Sequence, residues 1–99
     1  MTIWENELIQ IEKEINALDY YSDLEGENLE AIEKRIRDLA NWLIGKNEKT
    51  YKQLMQKLNS SDLSDLLVSV NGGKITREDW ISTKDTCVEV LNVLKFRAK

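Results

Sequence analysis

Carboxylates and a single thiol are the side chains of this sequence that could do chemistry, since histidine is absent from its 99 residues. Histidine is the most common general base and metal ligand in proteins, so its absence argues against most enzyme classes. Cys87 has no imidazole to generate a thiolate, cannot build a zinc site alone, and lies among apolar residues typical of a core. Carboxylates such as Glu5 and Glu12 fall on helix faces that we expect to be solvated, where they act as charges. We therefore predict no enzymatic activity, no catalytic residue, no cofactor and no metal.

One loop comes close to a calcium-binding signature. Residues 73–80 resemble the second half of an EF-hand loop, with Gly73 at the turn and Asp79 at the last ligand position. Counting back from Gly73 places Val68 and Val70 where oxygen ligands are needed, which leaves a calcium ion with too few of them. The glycines of this loop also lack the spacing of a phosphate-binding P-loop. The loop therefore predicts neither a calcium site nor a nucleotide site.

A DNA-binding helix-turn-helix is an alternative, because residues 51–58 and 61–70 read as two short helices joined by a brief turn. The second helix would enter the DNA groove, yet it carries Asp62 and Asp65 and no base, so phosphates would repel it. Met55 also stands where a small residue usually lets the two helices cross. Four lysines near the first helix could still reach a DNA backbone: Lys46, Lys49, Lys52 and Lys57. The balance argues against nucleic acid, and a helix-turn-helix regulator stays as an alternative function.

Charge is spread unevenly along the chain, whose net charge is -4. Residues 1–33 contain ten acids and one base, whereas residues 34–57 contain seven bases and two acids. One explanation is that the acidic first helix lies beside the basic middle of the chain, with charges paired across the seam. The other is that the acids face a basic partner and steer its association in a salt-dependent way.

The elements that position these charges follow from the spacing of apolar residues. One stripe predicts a helix over residues 3–19, with a capping box at Thr2 and Glu5, and a second stripe predicts a helix over residues 28–44 that Gly45 ends. The first stripe is Trp4, Leu8, Ile11, Ile15 and Leu18, and the second is Leu29, Ile32, Ile36, Leu39 and Leu43. Two matched stripes joined by a short turn indicate an antiparallel helical hairpin. An alternative start for the second helix is a capping box of Ser22 and Glu25, which would place Gly26 inside the first turns.

Further helices are predicted in the second half. A third runs from a cap at Asn47 to residue 58, and a fourth short one covers residues 61–70. For residues 60–76 the competing interpretation is a short β-hairpin around Asn71 and Gly72. The last helix is predicted over residues 77–96. Its two start signals are a capping box of Thr76 and Asp79 and a hydrophobic staple of Ile75 and Trp80. Its expected apolar face is Trp80, Ile81, Cys87, Val88, Leu91 and Leu94.

The predicted fold class is all-α, a compact bundle of four to five helices with an N-terminal antiparallel hairpin and a long C-terminal helix, forming a single domain over residues 1–99. No apolar run approaches the ~20 residues that span a bilayer, and the N-terminal residues lack the basic-then-apolar order that predicts a secretory signal. With one cysteine and no possible internal disulfide, we expect a cytoplasmic protein without a membrane partner.

The function predicted from these features is protein binding. We expect a small inhibitor, immunity or antitoxin-like protein that masks a basic surface of another protein; the alternative to that partner is a second copy of the chain, paired through its heptad stripes. Aromatic residues beside the acids add candidate anchors. The predicted partner-binding residues are Glu7, Glu12, Glu14, Tyr20, Tyr21, Asp23, Glu25, Glu27, Glu30 and Trp42.

Overall fold

The computed structural model describes residues 3–60 and 75–98, and these ranges are helical throughout apart from short connections. The elements are α1 (Ile3–Ala17), a 3-10 helix (Tyr20–Ser22), α2 (Glu27–Leu43), α3 (Lys49–Ser60) and α4 (Arg77–Ala98). The prediction of an all-α fold is confirmed. The predicted short helix over 61–70, its β-hairpin alternative and the first half of the calcium-like loop lie outside the described residues.

The core lies where the two N-terminal stripes meet α4. Leu8, Ile11 and Ile15 of α1 and Leu29 and Ile36 of α2 are all buried, and each such side chain contributes about 1.5–3 kcal/mol by leaving water. The long helix α4 packs against α1, α2 and α3 and also touches the 3-10 helix. It is therefore the element that holds the others together.

The buried face of α4 differs from the predicted one at three positions. Ile81, expected in the core, is 37% exposed, whereas Thr83 and Val90 are buried. Ile81 directly follows the buried Trp80, so it points about 100° away around the helix. The buried positions of α4 instead recur every three or four residues: Trp80, Thr83, Cys87, Val90, Leu91 and Leu94.

Glycines in the left-handed region flank α2. Gly45 has φ of 97° just after the helix, which confirms its predicted role as the C-terminal stop. Gly26 has φ of 72° and immediately precedes Glu27, the first residue of α2. The alternative start at Ser22, with Gly26 inside the first turns, is therefore wrong. The short connection 18–26 keeps α1 and α2 side by side, and Trp4 at the start of α1 stacks on Trp42 at the end of α2, so the two helices run in opposite directions.

The start of α4 follows its sequence signals. The backbone N–H of Asp79 donates to Oγ1 of Thr76 at 3.2 Å, which is the predicted cap. Ile75 and Trp80 are both buried, as a hydrophobic staple requires. No helix within the described ranges combines the length and the apolar character that a membrane span requires.

Candidate partner-binding surface

Asp23 fixes the connection between α1 and α2. It is only 4% exposed, and its carboxylate accepts hydrogen bonds from the backbone N–H groups of Asn28 (2.9 Å) and Leu29 (3.1 Å) and from Nε1 of Trp80 (2.9 Å). A carboxylate at a helix N-terminus satisfies free backbone donors and complements the helix dipole. The prediction that Asp23 belongs to an exposed acidic array is wrong, because its position is buried and structural.

The two neighbouring tyrosines have different roles. The hydroxyl of Tyr20 donates to the backbone oxygen of Ile75 at 2.8 Å, and its ring lies edge-on to Trp80 with centroids 6.0 Å apart. The backbone N–H of Ile75 donates in turn to the backbone oxygen of Leu24 at 3.2 Å. Tyr20 is therefore a half-buried tie between the turn and α4. Tyr21, by contrast, is 70% exposed and contacts the ring of Tyr20.

Around Tyr21 lies a shallow depression of about 250 Å³ with an acidic rim. Glu25 and Glu27 line it, and Asp19 begins the same connection. All three acids are exposed, and nowhere in residues 3–60 or 75–98 does a base lie within ion-pair distance of them. We call residues 19–27 the acidic turn. It combines an exposed aromatic ring with carboxylates that are available to a partner.

Acids of α1 are partly used inside the molecule. Arg35 of α2 forms ion pairs with Glu7 (2.9 Å) and Glu14 (2.7 Å). The hydrogen bond to Glu7, followed by the one to Glu14, raises the pKa of the Arg35 guanidinium. Glu12 pairs with Lys95 of α4. Charge pairing across the α1–α2 seam, one of the two explanations of the uneven charge, is therefore present for Glu7 and Glu14. The side chains of Glu7 and Glu14 remain about 40% exposed, so they still contribute to the surface potential.

Two depressions flank Arg35 along the seam of α1 and α2, and together they form the surface that we call the α1–α2 groove. One, of about 270 Å³, is lined by Trp4, Glu7, Arg35, Asp38, Leu39 and Trp42. The other, of about 300 Å³, is lined by Glu14, Ala17, Leu18, Asn28, Ala31, Ile32 and Arg35. The second shares Asn28 with the depression beside Tyr21. The groove and the acidic turn therefore adjoin at Asn28.

Trp42 provides the largest apolar surface at the far end of this groove. It is 71% exposed, and its ring rests on half-buried Trp4 with centroids 5.5 Å apart and planes tilted by 30°. One ring face is thus supported while much of the remainder is open to solvent. The predicted candidate Trp42 thus lines the far end of the groove, while Tyr21 lines the adjoining depression of the acidic turn.

The remaining predicted residue, Glu30, is half-exposed in the first turn of α2. Sequence reasoning missed several groove residues, among them Ala31, Arg35 and Asp38. A signal for them exists, since Asn28, Ala31, Arg35, Asp38 and Trp42 recur every three or four residues on α2. That spacing marks a second, outward stripe beside the buried one.

Other chemistry-bearing groups have structural roles. Burial, and to a smaller extent the nearby Glu33 carboxylate, raise the pKa of the Cys87 thiol to about 12, so the thiol stays protonated at neutral pH. This confirms Cys87 as a core residue. Arg37 pairs with buried Glu33 at 2.7 Å and donates to Asn59 at 2.9 Å, which ties α2 to α3. In the part of the chain that the structure describes, no set of three or more acidic or cysteine side chains could hold a metal ion.

The DNA-binding alternative concerns lysines near α3. Lys46, Lys49 and Lys52 are exposed, whereas Lys57 pairs with Glu89 of α4 at 3.0 Å. The second helix of the predicted helix-turn-helix falls outside the described residues, so this alternative stays a prediction.

Comparisons of the chain with protein-family models, curated proteins and solved structures find no match.

Proposed function

We propose that this protein is a small binding module whose acidic α1–α2 face covers a basic surface of another protein. The observation that carries the proposal is a row of three depressions with shared lining residues, Asn28 and Arg35. Tyr21 and Trp42, each about 70% exposed, line its two ends, and carboxylates lie between them. Exposed aromatic rings are enriched at interface centres, where a few such residues supply most of the binding energy.

The framework beneath this face favours binding without rearrangement. Asp23 and Tyr20 hold the acidic turn against α2 and α4 through four hydrogen bonds of 2.8–3.1 Å. A surface that is already ordered loses little conformational entropy on association, so more of the contact energy appears as affinity. The acids add long-range attraction for a basic partner, which raises the association rate and makes it depend on salt.

In this proposal the antiparallel helices α1 and α2 form the scaffold of the binding face. The long helix α4 packs against both of them, within a bundle of four to five helices. The role that suits such a module is that of an inhibitor, immunity or antitoxin-like protein that acts in the cytoplasm by masking its target. Its action needs no catalytic group, because covering a functional surface is sufficient.

A charge-reversal experiment tests the proposal. The triple variant Asp19→Lys, Glu25→Lys and Glu27→Lys reverses the acids of the turn that have no ion pair within the described residues. Used as bait in affinity capture from the native host, the wild-type chain should retain a basic protein that this variant loses, with about a tenfold or greater drop in recovered partner. Raising the salt concentration should weaken capture by the wild-type chain.

A matched control reverses three exposed acids that line none of the three depressions: Glu48→Lys, Glu78→Lys and Asp85→Lys. The change in net charge is the same, and Glu78, like Glu27, stands in the first turn of a helix. This control should retain the partner. If both triple variants capture the same proteins as wild type, the acidic turn is not a binding surface.

A further inference from the structure

The α1–α2 groove is long enough for one α-helix to lie along it. From Trp4 to Leu18 it follows α1 for about 21 Å at 1.5 Å per residue. Two antiparallel helices leave a furrow between them into which a third helix packs in bundle proteins, with helix axes about 8–10 Å apart. Ala17 and Ala31, both exposed, line one half of the groove, and their small side chains leave room for a helix to approach.

The apolar residues of the groove set the spacing of the apolar side chains with which a bound helix could fill it. The floor of one depression contains Ile32 and that of the other contains Leu39, which lie about two helical turns or 10 Å apart on α2. A helix lying along the groove would fill both depressions with apolar side chains about seven residues apart on one face. Exposed Trp42 would cover the anchor in the depression that it lines.

The charged residues of the groove determine which side chains of a bound helix fit between its two apolar anchors. Glu7, Glu14 and Asp38 line the groove with one base, Arg35, which already pairs with both glutamates. Each glutamate uses one oxygen toward Arg35, so the other oxygen is available to a new donor. A lysine or arginine of the occupant would meet these carboxylates, and beside Trp42 it would also gain a cation–π contact.

From this geometry we infer that the α1–α2 groove receives a basic amphipathic α-helix of the partner, with two apolar residues about two turns apart and basic residues between them. The inference rests on the proposed function, because it names the part of the partner that the acidic face binds. An acidic helix or a nucleic acid would be repelled by the same carboxylates.

A synthetic peptide tests the inference directly. The probe is a fluorescein-labelled helical peptide of about 15 residues, with leucines about seven residues apart and arginines between them on the same face. Its twin replaces each arginine by glutamate. Fluorescence anisotropy with the full chain should give binding of the basic peptide that is about tenfold or more tighter than that of the twin.

Groove variants locate the binding. Trp42→Ala and Ala31→Gln each change an exposed groove residue, and each should weaken binding of the basic peptide by about tenfold. The control is Phe96→Ala, an aromatic residue of α4 that is 78% exposed and lines none of the depressions; it should change the dissociation constant by less than about twofold. Circular dichroism of each variant checks that the fold is retained.

Several results would overturn the inference: no binding of the basic peptide, equal binding of its twin, or equal effects of Trp42→Ala and Phe96→Ala. A sedimentation mass of twice 11.5 kDa that Trp42→Ala returns to 11.5 kDa would assign the groove to a second copy instead. If the peptide fails while the charge-reversed turn still loses its partner, the binding function stands and only the helical occupant is rejected. If both tests fail, both proposals fall.

Discussion

Replacing Asp23 by alanine removes one acceptor that serves three donors in a buried position. The two backbone N–H groups at the start of α2 and the indole N–H of Trp80 would all lose their partner. Loss of a helix N-terminal cap costs about 0.5–2 kcal/mol, and a buried donor left unsatisfied costs about 1–3 kcal/mol. Together these effects predict a loss of about 3–5 kcal/mol in the free energy of unfolding.

Such a loss is a large share of the ~5–15 kcal/mol that stabilises a typical domain. Urea denaturation followed by far-ultraviolet circular dichroism would measure it, and the melting temperature should fall by on the order of 15–30 °C. The matched control is Asp19→Ala, four residues earlier and exposed, which should change stability by less than about 0.5 kcal/mol.

A double-mutant cycle isolates the contact between the turn and α4. Trp80→Phe removes the indole donor while keeping an aromatic ring in the core. Because Asp23 and Trp80 share a hydrogen bond of 2.9 Å, the effects of Asp23→Ala and Trp80→Phe should differ from additivity by about 0.5–3 kcal/mol. Strict additivity, or an Asp23→Ala variant as stable as the Asp19→Ala control, would refute the assignment of Asp23 as the tie.

Three further measurements address other parts of the molecule. Arg35→Met should lower the free energy of unfolding by about 1–2 kcal/mol at low salt and by less at high salt, because its two ion pairs with α1 are half-exposed. The control is Lys34→Met at the exposed neighbouring position, and an equal loss of stability in both variants would contradict the pairing. Cys87 should react with a thiol reagent only as the chain unfolds, because burial raises its pKa to about 12, and rapid labelling of folded protein at pH 8 would count against its burial. Since the unfolded thiol has a pKa near 9.0, the contribution of this group to stability is complete below pH 9 and is lost as the pH rises toward 12. Gly45→Ala should lower the free energy of unfolding by about 1 kcal/mol through backbone strain at its φ of 97° alone, because an added Cβ would have no atom within 4 Å. Gly45→Asn should lower it by less, and equal melting temperatures for both variants and wild type would exclude backbone strain.

The sequence was sufficient for the helices because their apolar spacing is regular. Gly45 marked the end of α2 correctly, since a left-handed residue is the usual stop. The hydrophobicity of Ile81 predicts a core position, and that prediction is wrong, because the three- and four-residue spacing from Trp80 places Thr83 in the core instead. Periodicity therefore predicts this fold better than residue type alone.

The candidate surface was harder to predict, because the use of a charge depends on distant residues. Nothing in the local sequence distinguishes Asp23, which is buried against Trp80, from Glu25, which is exposed. Likewise, the ion pairs of Glu7 with Arg35 and of Glu12 with Lys95 join residues far apart in the chain. Only tertiary contacts separate acids that hold the bundle together from acids left for a partner.

Inward and outward side chains alternate within the short acidic turn. Tyr20 and Asp23 face the bundle, while Tyr21 and Glu25 face water. Mutations at the outward positions can therefore alter which target is recognised with little penalty in foldability. A lineage carrying this scaffold would be free to follow a changing target by exchanging a few exposed residues, while the inward ones keep the architecture constant.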